Sequence, residues 1–207
     1  MKLVILGKPG SGKGTQAGLI SKKLRIPHIS TGEILRKLER ENTLIAKLIK
    51  KRIDKGFFIP DTIAADITFK RIRRNDCKKG FILDGFPRNV QQAKMLDKKF
   101  EIDKVIYIDL SDSIIIKRLS ARRECYCGRV YNMITNPPKK DEICDICGRK
   151  IYIRNDDKPA IIKNRLKLYR KTAKPLIDFY KKKKILIKVN GNQPIKELFK
   201  VIINSLK

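Results

Sequence analysis

An α/β layered fold with a mostly parallel sheet is what this chain predicts, and three observations point there. Short apolar runs alternate with longer stretches of helical periodicity along the 207 residues. The first run, Lys2-Leu-Val-Ile-Leu-Gly7, turns through glycines into a helical pattern instead of into a second strand. Length is the third: 207 residues suit a single domain, 1–207, that buries a sizeable core and carries insertions. Strands separated by helices pair in parallel and are covered on both faces.

Residues 2–7 form the first strand and 13–24 the helix after the glycines. Ile26-Pro-His-Ile29 is a short second strand, and 31–55 hold two helical pieces in succession with no strand between. A helix over 61–75 leads to the buried strand Gly80-Phe-Ile-Leu83, and one over 89–99 leads to Val105-Ile-Tyr-Ile-Asp-Leu110. The next helix is expected over 112–124, with Arg118 and Arg122 four apart on one face. Residues 122–158, rich in Cys, Gly and Pro with short β-prone pieces, interrupt the alternation. A long helix over 160–182, the strand Ile185-Leu-Ile-Lys-Val189 and a helix over 193–206 follow. The expectation is a five-stranded sheet with two inserted mobile subdomains, 30–59 and 122–159, closing over substrates from two sides.

The chemistry starts at Gly7-Lys-Pro-Gly10-Ser11-Gly12-Lys13-Gly14-Thr15. Glycines let consecutive backbone N–H groups turn inward on a polyphosphate, the helix adds its positive N-terminal end, and Lys13 supplies a point charge. A plain strand-to-helix turn needs no lysine at this spacing. Gly14 stands where a magnesium-binding hydroxyl usually sits in such loops, and Thr15 comes one residue later. Asp84, ending an apolar strand, is placed to hold magnesium or its bound water, although such a residue can also merely cap a turn.

The loop resembles that of the adenylate kinase family, Gly-x-Pro-Gly-x-Gly-Lys-Gly-Thr, and further motifs along the chain agree. Asp84-Gly85-Phe86-Pro87-Arg88, with Gln92 following, is similar to the family's second signature. Ser30-Thr31-Gly32-Glu33-Ile-Leu-Arg36 is similar to Ser-Thr-Gly-Asp-x-x-Arg, with Glu33 in place of the commoner Asp. Gly56-Phe57-Phe58-Ile59-Pro-Asp61 matches Gly-x-x-Val-Pro-Asp. The resemblance implies a P-loop nucleotide kinase that moves a phosphoryl group from MgATP to AMP. In that reading Gly10, Ser11, Gly12, Lys13, Gly14 and Thr15 hold ATP. Arg88 and Arg36 hold the AMP phosphate, Thr31 and Gln92 contact its base, and Phe57, Phe58, Ile59, Gly85, Phe86 and Pro87 shape its pocket.

Without the family, Thr31 reads as a helix cap and Arg36 as an exposed helical charge. Arg118, Arg122, Arg154 and Arg165 have a spacing similar to the family's phosphate-binding arginines, and guanidinium forks suit phosphate oxygens. Arg118 and Arg122 go to ATP, Arg154 and Arg165 to AMP, with Arg122, Arg154 and Arg165 also catalytic beside Lys13, Arg88 and Asp84. Val130 and Tyr131 would cover the donor adenine, and backbone near Gln193 would meet its edge. Arg123 reads as a surface charge, and the one histidine, His28, as structural. No nucleophile-base pair is present, and none is needed, because a phosphate acceptor is already anionic.

Cys125, Cys127, Cys144 and Cys147 suit a closed, structural tetrahedral zinc and resemble the zinc-bearing lid of some adenylate kinases. The first pair is Cys-x-Cys where the family has Cys-x-x-Cys, one residue short in the turn. The formal charge of +29 raises a nucleic-acid partner. Basic residues spread without aromatic interleaving favour a solvated surface, so no obligate nucleic-acid partner is expected. No apolar run approaches bilayer-spanning length, which predicts a soluble, cytoplasmic protein without membrane contact; a monomer is expected. Two rivals stand beside this reading: a UMP/CMP kinase, to which Asn89 is similar, and a zinc-containing nucleic-acid-binding protein whose phosphate loop serves regulation. Gln92 and the cysteine-bearing insertion argue against the first, and the acceptor motifs against the second.

Overall fold

In the computed structural model, residues 1–206 are described, and their strands divide into two sheets. The strands are β1 (Lys2–Gly7), β2 (His28–Ser30), β3 (Phe81–Asp84), β4 (Lys104–Asp109), β5 (Arg122–Glu124), β6 (Val130–Asn132) and β7 (Leu186–Asn190). The larger sheet has the order β2-β3-β1-β4-β7, every pair parallel, and β5-β6 is a separate antiparallel ladder. The helices are α1 (Lys13–Leu24), α2 (Thr31–Leu38), α3 (Leu44–Ile53), α4 (Asp61–Ile72), α5 (Val90–Asp97), α6 (Asp112–Ser120), α7 (Pro159–Lys182) and α8 (Ile195–Ser205). None is long and apolar enough to cross a membrane among the described residues.

Alternation along the strands builds the two halves of the core. Val4, Leu6, Leu83, Val105 and Tyr107 face Phe69 of α4, Leu96 of α5 and Leu176 and Tyr180 of α7. Their neighbours Leu3, Ile5, Ile82, Ile106 and Ile108 face Ala17 and Ile20 of α1 and Leu198 and Ile202 of α8. Full burial of each such side chain contributes about 1.5–3 kcal/mol, and parallel strands covered on both faces accordingly read as continuous apolar runs.

The segments outside this sheet have small cores of their own. Leu35 of α2, Ile49 of α3 and Ile59 pack together, with Ile63 and Ile67 of α4 against them. In 122–154, Cys125, Tyr131, Cys144 and Ile151 form the only comparable cluster.

Three boundaries differ from expectation. The helix expected over 112–124 ends at Ser120, so Arg122 lies on a strand and does not share a helical face with Arg118. Pairing of Arg122 with Asn132 and of Glu124 with Val130, plus Met133 N–H donating to Ala121 O, takes the chain out of the helix. The helix over 61–75 stops at Ile72, before a 3₁₀ turn at Asn75–Cys77. The second strand begins at His28, not Ile26: Ile26 N–H is occupied by Ser21 O and Pro27 has no N–H to give.

Gly7 ends β1 at φ 150°, where an added Cβ would stand 2.7 Å from Ile108 O and from Ser11 Oγ. Gly7→Ala is expected to destabilise the protein by about 2 kcal/mol. The urea midpoint should fall with an unchanged slope; an unchanged midpoint refutes the close approach.

Candidate functional site

At the carboxyl ends of β1, β2 and β3 a cavity of about 1200 Å³ opens between the sheet, α2–α3 and the 122–158 segment. Gly10 and Gly12 take φ of 81° and 92°, and α1 begins without a side-chain cap, so its first N–H groups face the cavity unpartnered by side chains. Gly14 and Thr15 line the same space. Ser11 does not: it is fully buried, its N–H donates to Lys8 O at 3.1 Å, and its side chain turns under the loop toward Gly7. Sequence reasoning had no means to separate it from its neighbours in the loop.

Lys13 Nζ donates to Lys8 O at 2.8 Å. Burial pushes its pKa down to about 8, with Arg88, Arg165 and Arg122 adding to the push and Asp84 opposing it. Lys8 itself is tied back to α6, 2.7 Å from Asp112 Oδ1, and Arg170 of α7 also bonds Asp112. Asp84, at the end of β3, lies 3.6 Å from His28 Nε2. Burial would raise its pKa, but His28, Lys13 and Arg88 hold it below the usual carboxylate range. His28, expected to be structural only, therefore lines the cavity beside Asp84.

The arginines converge from separate elements. Arg88 donates through Nε to Gly85 O at 2.9 Å and sits 5.3 Å over the Phe58 ring. Arg122 forks onto Asp157 at 2.7 and 2.5 Å. Arg165 reaches Asp156 Oδ2 at 3.0 Å and Asp157 Oδ1 at 3.1 Å, and burial lowers its pKa to about 10. Arg154 bonds Glu124, and Arg36 approaches the same carboxylate at 4.0 Å. Glu124, Asp156 and Asp157 are buried carboxylates that sequence reasoning gave no role; all three pair with arginines brought from other turns of the chain. The cluster of Lys13, Arg36, Arg88, Arg122, Arg154 and Arg165 exceeds Asp84, Glu124, Asp156 and Asp157 by two charges, which suits a polyanion in a half-dry cleft.

The remaining predicted residues divide. Phe57, Phe58, Ile59, Thr31, Gly85 and Pro87 line one end of the cavity, and Arg118, Val130 and Gln193 the other. Thr31 is not the cap of α2: Ser30 Oγ accepts from Glu33 N–H at 3.3 Å, while Thr31 Oγ1 is buried 3.1 Å from Thr68 Oγ1. Phe86 is core, edge-on to Phe69 at 5.9 Å, and does not reach the cavity. Tyr131 borders the cavity, but its buried hydroxyl donates to Cys144 Sγ at 3.4 Å, so it supports the cysteines. Gln92 Oε1 accepts from Arg88 N–H and Nε2 donates to Asp61 Oδ1, both at 2.8 Å, leaving one N–H and one lone pair toward the cavity. Asn89 caps α5 and also donates to Asp61, a structural duty sufficient to explain it.

All four lid cysteines present Sγ atoms within 4.8 Å of one another, with Cys125–Cys147 at 3.3 Å and Cys127–Cys144 at 3.6 Å. A tetrahedral S₄ site with metal–sulfur bonds of about 2.3 Å has edges of about 3.8 Å, so the donor set can hold a metal ion. The short turn closes as its longer counterpart does: Gly128 N–H donates to Cys125 O and Gly148 N–H to Cys144 O, both at 2.9 Å.

A family model described as adenylate kinase matches residues 5–185. The chain is 45% identical to an adenylate kinase of Caldicellulosiruptor bescii, across 100% of this chain and 99% of the relative. It is 47% identical to one from Caldanaerobacter subterraneus subsp. tengcongensis, across 100% and 96%. The adenylate kinase of Methanothrix thermoacetophila is 46% identical across 96% and 95%. With its phosphate loop, convergent arginines and cysteine cluster in place, the chain belongs to the adenylate kinase family of nucleoside monophosphate kinases.

Proposed function

We propose that the protein transfers the terminal phosphoryl group of magnesium-bound ATP to AMP, giving two ADP. The excess of half-buried guanidinium and ammonium groups over the carboxylates among them, gathered around one cleft, carries this reading. ATP would lie along Gly10, Gly12, Lys13, Gly14 and Thr15, with its base toward Arg118, Val130 and Gln193. AMP would lie toward Thr31, Arg36, Phe57, Phe58, Ile59 and Gln92, its phosphate on Arg88. Magnesium bound with ATP would neutralise phosphate charge, and Asp84 is the carboxylate that would hold it or its water.

The chain's own residues supply alignment and fixed positive charge. Arg122, Arg154 and Arg165 would meet the transferred group from the lid side, and exchange of their carboxylate partners for phosphate oxygens would draw the lid down. Segments 30–59 and 122–159 act as the two closing insertions, which keep water from competing as acceptor. We propose zinc as the metal of the cysteine cluster. Free thiols suit a reducing compartment, and a cytoplasmic monomer is part of the proposal.

Lys13→Met and Arg88→Ala should each lower kcat/KM by about a hundredfold or more in a coupled ATP and AMP assay, with melting temperatures near wild type. Turnover near wild type in either variant sinks the assignment. A panel of nucleoside monophosphates should favour AMP; preference for CMP or UMP points to the rival acceptor.

Lys13 also sets a pH dependence. Its pKa near 8 means the free protein partly lacks that proton at pH 8, and an adjoining triphosphate favours the charged form. ATP binding at pH 8–9 should take up a proton, and affinity should fall as pH rises above 8. Calorimetry in buffers of different ionisation enthalpy measures the uptake, which Lys13→Met should abolish. Uptake unchanged in that variant refutes the assignment.

Elemental analysis of protein purified without added metal should find about one zinc per chain, with four thiols shielded from titration. Chelation should lower thermal stability while the parallel sheet persists. Freely reactive thiols and no metal would mean that packing alone closes the lid.

A further inference from the structure

The charge of +29 is not absorbed by the kinase site, and α7 concentrates part of it on one face. Lys163, Lys167, Lys171, Lys174, Lys181 and Lys182 are all exposed, and none has an ion-pair partner among the described residues. At 3.6 residues per turn they fall within an arc of about 100°, and at 1.5 Å per residue they extend roughly 28 Å. Asp178 is the one acid on that arc. Arg165, the helix's contribution to the cleft, lies about 150° round the axis, so the ridge and the kinase site use opposite sides of the helix.

A groove of about 560 Å³ continues the ridge, between α7 and the edge strand β7. Its rim carries Lys174 and Lys181 beside Asp178, together with Arg170 and Lys188, which pair with Asp112 and Asp109. We propose that the solvent face of α7 and this groove bind the phosphodiester backbone of double-stranded nucleic acid without regard to sequence. Both the shape and the composition of the face favour that partner. A row of cations about 28 Å long, interrupted by Pro175, suits a stiff backbone that carries one charge per roughly 3.4 Å of each strand. Single-strand binders add aromatic stacking platforms, and membrane-surface helices add exposed apolar side chains. No large apolar side chain is strongly exposed on α7 among the described residues.

The test is binding of a fluorescent 20-base-pair duplex (about 20, long enough to pass the roughly 28 Å ridge) by the full chain across a salt series. With about six lysines engaged, the logarithm of the association constant should fall with the logarithm of salt at a slope of about −5. Combined Lys163→Gln, Lys167→Gln, Lys171→Gln and Lys174→Gln should flatten that slope by about 3 to 4 and weaken binding at least tenfold at about 0.1 M salt. A charge-matched control, Lys50→Gln, Lys51→Gln, Lys78→Gln and Lys79→Gln, should lose much less, and the four ridge lysines changed to Arg should keep binding. ATP and AMP turnover should be unchanged in all three variants and reports their folding. Equal losses in the ridge and control variants, or no salt dependence, overturn the proposal. So does ridge-dependent binding to phosphatidylglycerol vesicles with no ridge dependence for the duplex. If the Gln variant does not fold, loss of duplex binding in the Arg variant overturns the proposal and its retention supports it.

Discussion

Everything at the site hangs on β1 being held in parallel between β3 and β4. The register sets Ile5 beside Asp84 on one side and Gly7 beside Ile108 on the other. Because parallel strands end at one edge, the phosphate loop after β1 and the carboxylate ending β3 emerge together, although 77 positions separate Gly7 from Asp84. The apolar layers on both faces make that register costly to slip, since a one-residue shift would turn each strand's side chains to the wrong layer.

Around this fixed edge the second organising constraint is electrostatic. Guanidinium groups taken out of water need partners, and Asp157 serves Arg122 and Arg165 at once while Glu124 serves Arg154 and lies near Arg36. Such pairs are weak sources of stability but precise positioners. Pairing with the protein's own carboxylates holds the arginines at the cleft while two charges stay uncompensated. The site thus has a direct physical reason to prefer a polyphosphate over a neutral ligand.

The 122–158 segment illustrates how little apolar material a subdomain needs when side chains converge. Its core is Cys125, Tyr131, Cys144 and Ile151, with Met133 against them, too small to offset the chain entropy of its loops. The four thiols, close enough to share one metal ion, sit at this core, and Tyr131 joins them by bonding Cys144. The same hydroxyl accepts from Asp145 N–H at 2.8 Å, so one side chain ties the Cys144–Cys147 turn to the cavity wall.

The chain alone determined the five strands of the parallel sheet, the phosphate loop, the cysteine cluster and the alternation that yields that sheet, because each is written in local spacing. Lys13 and Asp84 were legible for the same reason: both follow apolar strands whose ends are local signals. Only the tertiary structure decided that Ser11 turns under its loop, that Phe86 joins the core and that Tyr131 serves the cysteines. It alone moved Arg122 from helix to strand, through pairing with Asn132, and brought His28 beside Asp84. The partners that neutralise the arginines were equally hidden, since Arg122 and Asp157 lie 35 positions apart. Spacing in a sequence reports which residue types sit at which turn of a local element. Which face a side chain presents, and which distant charge it must satisfy, depends on the packing that desolvates both.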